Sequence, residues 1–189
     1  MTSDMNDVFA EIVKEVGDCL AKMRREAVEQ ALAHLAGAKR VFLAGSGRSA
    51  LGIRGFAMRL MHLGIEAHLV GETTTPAICA GDCLVIGSGS GRTASLLAIA
   101  TKAKEIGAKI VLFTIDPNSP IAQRANAVVV IPASSPKAQV STPGRQSIQP
   151  MGTLFEQCLF LILDALVLVL MQQHNVTAAE MFTRHANLE

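Results

Sequence analysis

Between Val41 and Ile131 the chain repeats one pattern, a short apolar run followed by a turn and then by helix formers. The residues 41–44, 66–70, 83–87, 109–114 and 127–131 read as strands. Ser49 to Leu63, stopped by Gly64, and Thr93 to Ile106, stopped by Gly107, read as helices, with a shorter one around Ile121 to Arg124. Strands alternating with helices at this spacing demand right-handed crossovers. They therefore build a parallel α/β sheet of five strands, covered by helices on both faces.

The flanks read as helix and loop. Asp4 to Ala36 carries a helical stripe (Val8, Ile12, Val16, Cys19, Met23) and is expected as one helix ending at Gly37. Gly71 to Ala80 is expected as a loop with one helical turn after Pro76, and Asp116 to Pro120 has turn chemistry. Residues 132–150 are rich in Ser, Pro, Gln and Gly and read as a long loop. Met151 to Gln173 is a strongly apolar helix, and Thr177 to Glu180 is a capping box that opens a last short one. One domain over 1–189 is expected, with an N-terminal helix (4–36), a sheet core (40–131), a loop (132–150) and C-terminal helices (151–185).

The apolar helix is not expected to span a membrane. Glu156, Gln157 and Asp164 interrupt it, and its clean run over 165–171 is far shorter than the roughly 20 residues a bilayer needs. Burial between subunits suits it better. A formal net charge of +1 and the absence of Tyr and Trp argue against a nucleic-acid binder. No signal peptide is visible, and Cys19, Cys79, Cys83 and Cys158 are scattered with no CxxC pair. Free thiols in a reducing cytoplasm are the expectation, with no zinc cluster among them or the equally scattered histidines.

Two turns carry the chemistry. Ser88-Gly89-Ser90-Gly91-Arg92-Thr93 joins an apolar strand to a helix. Glycine lets the backbone approach a ligand, three hydroxyls can donate to an oxyanion, and the following helix aims its unpaired N–H groups at the same place. No Gly-Lys-Ser/Thr is present, so this is a seat for a phosphate ester rather than for a nucleoside triphosphate. Gly45-Ser46-Gly47-Arg48-Ser49 follows the first strand. Its bland reading is a tight turn with a serine cap, and its functional reading is a ligand-facing turn. Position 50 is alanine, so the dinucleotide fingerprint fails. Glu156 stands three residues after Thr153, which fits either a capping box or a carboxylate placed to abstract a proton. Glu72, with Thr73 to Thr75, is either loop polarity or a second wall of the site. His185 near the end of the chain is a surface histidine or a proton carrier.

Together these motifs resemble the SIS (sugar isomerase) domain family, in which GxGxS and SxSGxT form paired ligand turns. Gly55 to Gly64, Val70 to Pro76, Pro150 to Glu156 and Arg184 to Leu188 extend the likeness over nearly the whole chain. They resemble the branch that interconverts 3-hexulose 6-phosphate and fructose 6-phosphate in formaldehyde assimilation through the ribulose monophosphate pathway. The resemblance implies a flavodoxin-like three-layer fold, a homotetramer with shared active sites, a phosphorylated hexulose as substrate, and neither metal nor organic cofactor. It also implies that Ser49 and 88–93 (Ser88, Gly89, Ser90, Gly91, Arg92, Thr93) bind substrate; the reading of the first turn and of the polar run adds Gly47, Arg48 and Glu72 as expected substrate contacts. Glu156 is then the base, and His185 shuttles protons. An arabinose 5-phosphate type isomerase and a non-catalytic sugar-phosphate sensor on the same fold are the rival readings.

Overall fold

A computed structural model describes residues 4–134 and 147–188. Most of the expected loop over 132–150, from 135 to 146, lies outside the described residues. Five strands, β1 (Val41–Gly45), β2 (Ala67–Leu69), β3 (Cys83–Gly87), β4 (Lys109–Thr114) and β5 (Ala127–Val130), pair in parallel throughout. Their order across the sheet is β2-β1-β3-β4-β5. The expected α/β architecture and parallel sheet are therefore present.

Alternation along the strands sorts the core into two halves. Val41, Leu43, Cys83, Val85, Val111 and Phe113 face one side, packed against α1 (Met5–Ala21), α2 (Arg25–Ala36), α3 (Arg48–His62) and α5 (Thr153–His174). Phe42, Ala44, Leu84, Ile86, Ile110 and Leu112 face the other, where α4 (Ala94–Ile106) and a short 3-10 turn, Ala122–Arg124, cover them. A last helix, α6 (Ala178–Phe182), opens with the capping box read from the sequence, Thr177 and Glu180 bonding reciprocally.

Three local expectations are corrected. The N-terminal segment is two helices with a break at 22–24, not one over 4–36. A single helix of that span would be about 50 Å long, whereas α1 must pack on α5 and α2 on β4 and β5. No helical turn follows Pro76. The backbone there bonds elsewhere: Arg40 Nη2 donates to Ala77 O at 3.0 Å, and Cys79 N donates to Asp82 Oδ2 at 2.8 Å. No serine caps α3, whose N-cap is Gly47.

Thr153 to His174 has a mean hydropathy of 2.3 over its most apolar window, enough to cross a membrane by length and composition alone. Its packing identifies a core helix: Leu154, Phe155, Cys158, Leu159, Ile162, Leu163, Leu166, Val167 and Leu170 are buried. Phe160, Leu161, Leu168 and Val169 remain exposed on its other face.

Asp82 precedes β3 with its side chain 2% exposed, and Arg40 Nη2 lies 2.7 Å from Oδ2. Burial works to raise the Asp82 pKa, but the bonds from Arg40 and from the Cys79 amide outweigh it, and the carboxyl sits below the usual aspartate range. A carboxyl that titrates lower in the folded chain lends stability that is complete above the unfolded value of about 3.9. That stability is lost as pH falls through the lower folded value. Asp82→Asn should cost about 2–3 kcal/mol at neutral pH and distinctly less at about pH 2. Urea unfolding of both proteins at the two pH values checks this, and an equal loss at both would contradict it.

Candidate active site

β1 and β3 are neighbours, with Gly45 and Gly87 at matching register positions. The chain leaving β1 enters α3 on one face of the sheet, and the chain leaving β3 enters α4 on the other. Such a divergence opens a crevice at the carboxyl ends of the strands, where open α/β sheets bind ligands. A cleft of about 390 Å³ lies there. The residues Ser46 to Ser49 form one wall and Gly87 to Ser90 with Thr93 another; a third comes from Pro150 to Thr153, Phe155 and Glu156. The amino ends of α3, α4 and α5 all reach this cleft, and none of these helices has a side-chain cap. Their first N–H groups have no partner within the helix, and their dipoles add positive potential at one place. An anion is the ligand this suits.

The 88–93 turn is stitched to the strand beside it. Ser88 N donates to Phe113 O at 3.0 Å, and Gly89 O accepts from Ile115 N at 3.0 Å and Thr114 Oγ1 at 3.1 Å. Gly91 has φ +59°, and a Cβ there would lie 2.0 Å from Ser119 Oγ, so only glycine fits. Arg92 Nη2 donates to the buried Asp116 Oδ2 at 2.8 Å, which props the turn from behind. Thr93 is the N-cap of α4, yet its hydroxyl makes no capping bond.

Glu156 comes to the cleft from the opposite side. The Thr153–Glu156 capping box does not form: Gly152 is the N-cap, and Thr153 Oγ1 donates to Pro150 O at 2.7 Å. The carboxylate instead meets Arg48, with Nε 3.2 Å from Oε2, while Arg48 Nη1 donates to Thr153 Oγ1 at 3.2 Å. The Arg48 side chain is 61% exposed and Glu156 20%. A pair this open to water contributes at most about 1 kcal/mol, so its meaning is placement. Close packing of α3 on α5 permits it: a Cβ on Gly52 would lie 3.5 Å from Phe160, and one on Gly55 only 3.2 Å. Met151, at the rim, holds φ +57°, a left-handed conformation that costs a non-glycine residue about 1–2 kcal/mol and persists only where its surroundings impose it.

The structure thus gathers Gly47, Arg48, Ser49, Ser88, Gly89, Ser90, Thr93 and Glu156 around one cavity. Gly91 and Arg92 belong to the same turn but do not line it. Glu72 lies outside, paired with Arg54 at 2.7 Å. His185 also lies outside the cleft of its own chain, stacked at 5.6 Å on both His62 and Phe182. Burial, then Arg59 and His185, push the His62 pKa down. Sequence reasoning passed over Phe155 and the turn Pro150–Gly152 as walls of the site, and it weighed Thr153 only as a cap. A proline and glycine just ahead of a long apolar helix were the available signal. Asp116 was read only as turn chemistry. Among the described residues, no group of three His, Cys, Asp or Glu side chains is placed to hold a metal ion.

Comparison with known proteins agrees with this architecture. The SIS domain matches residues 34–161. A 3-hexulose-6-phosphate isomerase of Bacillus subtilis is 45% identical, covering 97% of this chain and 98% of that protein. Its counterpart in Mycobacterium gastri is also 45% identical, covering 98% and 92%. A Methanococcus jannaschii protein, whose crystal structure was held to infer a function of 3-hexulose-6-phosphate isomerase, superposes with a TM-score of 0.82. It is 31% identical and covers 97% of this chain and 99% of its own. The chain belongs to the SIS domain family.

Proposed function

We propose that this chain is a phosphosugar isomerase that interconverts 3-hexulose 6-phosphate and fructose 6-phosphate. One observation carries the reading. A hydroxyl-lined turn at a helix amino end and the carboxylate of Glu156 face the same cleft, at the divergence of β1 and β3. Near full-length similarity to relatives bearing that activity's name supports the substrate.

The chemistry follows from moving a carbonyl by one carbon. Glu156 takes the proton from carbon 2 of the 3-ketose, and an enediol forms across carbons 2 and 3. Return of a proton to carbon 3, with transfer of hydrogen from the oxygen on carbon 2 to that on carbon 3, completes fructose 6-phosphate. Negative charge builds on oxygen during the first transfer, and Arg48, already beside Glu156, is the donor placed to offset it. The ester, held by Ser88, Ser90, Thr93 and the amino end of α4, is remote from the reacting carbons. Its binding energy therefore serves orientation. No step calls for a metal or organic cofactor. In a homotetramer, His185 of a neighbouring subunit would be the group that moves protons between the oxygens. Free thiols at Cys19, Cys79, Cys83 and Cys158 fit a cytoplasmic setting.

A coupled assay with 3-hexulose 6-phosphate, reading fructose 6-phosphate, tests the activity. A sensor of sugar phosphates would bind without turnover, and an arabinose 5-phosphate type isomerase would act on the pentose instead. Glu156→Gln should leave a folded protein that still binds fructose 6-phosphate but turns over at least about a hundredfold more slowly. Near-normal turnover would remove Glu156 as the base. Ser90→Ala with Thr93→Ala should weaken binding of the phosphate ester at least about tenfold, and unchanged affinity by calorimetry would refute the seat. Dialysis against a strong chelator should leave activity intact, whereas a loss restored by added metal would overturn the cofactor-free route.

A further inference from the structure

Helix α1 contributes no residue to the cleft, yet it holds the segment that builds the cleft's third wall. Glu15, half-buried on α1, accepts three hydrogen bonds from consecutive residues: Ser147 Oγ at 2.7 Å, Ile148 N at 2.8 Å and Gln149 Nε2 at 3.1 Å. Gln149 N also donates to Ser147 Oγ at 3.0 Å, so the three residues are folded around one carboxylate. Directly after them come Pro150, Met151 in its left-handed conformation, and Gly152. Pro150 O then takes the Thr153 hydroxyl, Thr153 takes Arg48, and Arg48 takes Glu156. One helical turn after Glu15, Cys19 is buried against Cys158 of α5, which fixes α1 on the helix that carries Glu156. A short chain of contacts runs from Glu15 to the proposed base, and each joint is a named hydrogen bond, an ion pair or one strained turn.

We infer that Glu15 is a positioning residue for the reaction: by gathering residues 147–149 it sets the Pro150–Gly152 turn, and thereby the placement of Thr153, Arg48 and Glu156. The effect on rate rests on the isomerase reading; the latch itself does not. A carboxylate accepts all three bonds at once, and an amide, which puts a donor where an acceptor is needed, cannot. Amide hydrogen exchange on the unliganded protein reads the latch directly, and steady-state kinetics read its consequence. In Glu15→Gln, exchange over 147–156 should rise at least about fivefold while β1, β3 and β4 keep their protection. The kcat should fall about tenfold with KM within about threefold, since the phosphate seat lies on another wall. Glu15→Asp should recover part of the loss. Unchanged exchange in Glu15→Gln overturns the latch whatever the chain's activity. Faster exchange with unchanged kcat overturns the positioning role. A wild-type protein inactive on 3-hexulose 6-phosphate sinks the functional reading and leaves exchange to decide the latch. If Glu15→Gln does not fold, Ser147→Ala removes a bond from the other side and decides by the same two readouts.

Discussion

At the carboxyl edge of the sheet β1 and β3 lie side by side, hydrogen-bonded along five residues, and then send their chains to opposite faces. Parallel pairing forces both turns onto the same edge, and the strand order places no third chain between them. The cleft is the space their separation leaves. Everything at the site inherits its position from this: α3 carries Arg48 in on one side, the 88–93 turn carries its hydroxyls on the other, and α5 closes the gap from outside the sheet.

The helix ends supply the electrostatics. Three amino termini without side-chain caps face one cavity of about 390 Å³. Their combined field favours a dianion without any lysine. Arg92, the one formal cation in the 88–93 turn, is turned to Asp116 instead. That arrangement leaves backbone and hydroxyl donors of the turn open to the cleft, with Arg48 beside Glu156 on the facing wall. In the proposed reaction the Arg48 beside Glu156 would offset charge that develops on the sugar oxygens.

The sheet was legible because its central strands are apolar on both faces and its turns are punctuated by Gly45, Gly64, Gly87 and Gly107, all local signals. The strand-to-helix turn at 88–93 was legible for the same reason. What stayed hidden depends on contacts across the chain. The break at 22–24 exists because α1 and α2 serve different partners, which no stripe of residues reveals. Thr153 and Glu156 have the spacing of a capping box, and only the placement of Pro150 and Arg48 decides that they do something else. Asp116 looks like any residue of an Asp-Pro-Asn turn until Arg92 is seen against it. Glu15 carries no sequence signal for this role, since Ser147, Ile148 and Gln149 lie more than a hundred positions away. Glu72 and His185 were singled out as polar residues whose surroundings are not legible in the sequence, and within one chain both lie outside the cleft.

The most direct measurement is a crystal structure with fructose 6-phosphate bound. The account predicts ester oxygens within hydrogen-bonding distance of Ser88, Ser90, Thr93 and the first N–H groups of α4, with a Glu156 carboxylate oxygen within about 3.5 Å of carbon 2 or carbon 3. An ester seated elsewhere, or a carbon skeleton out of reach of Glu156, would contradict it.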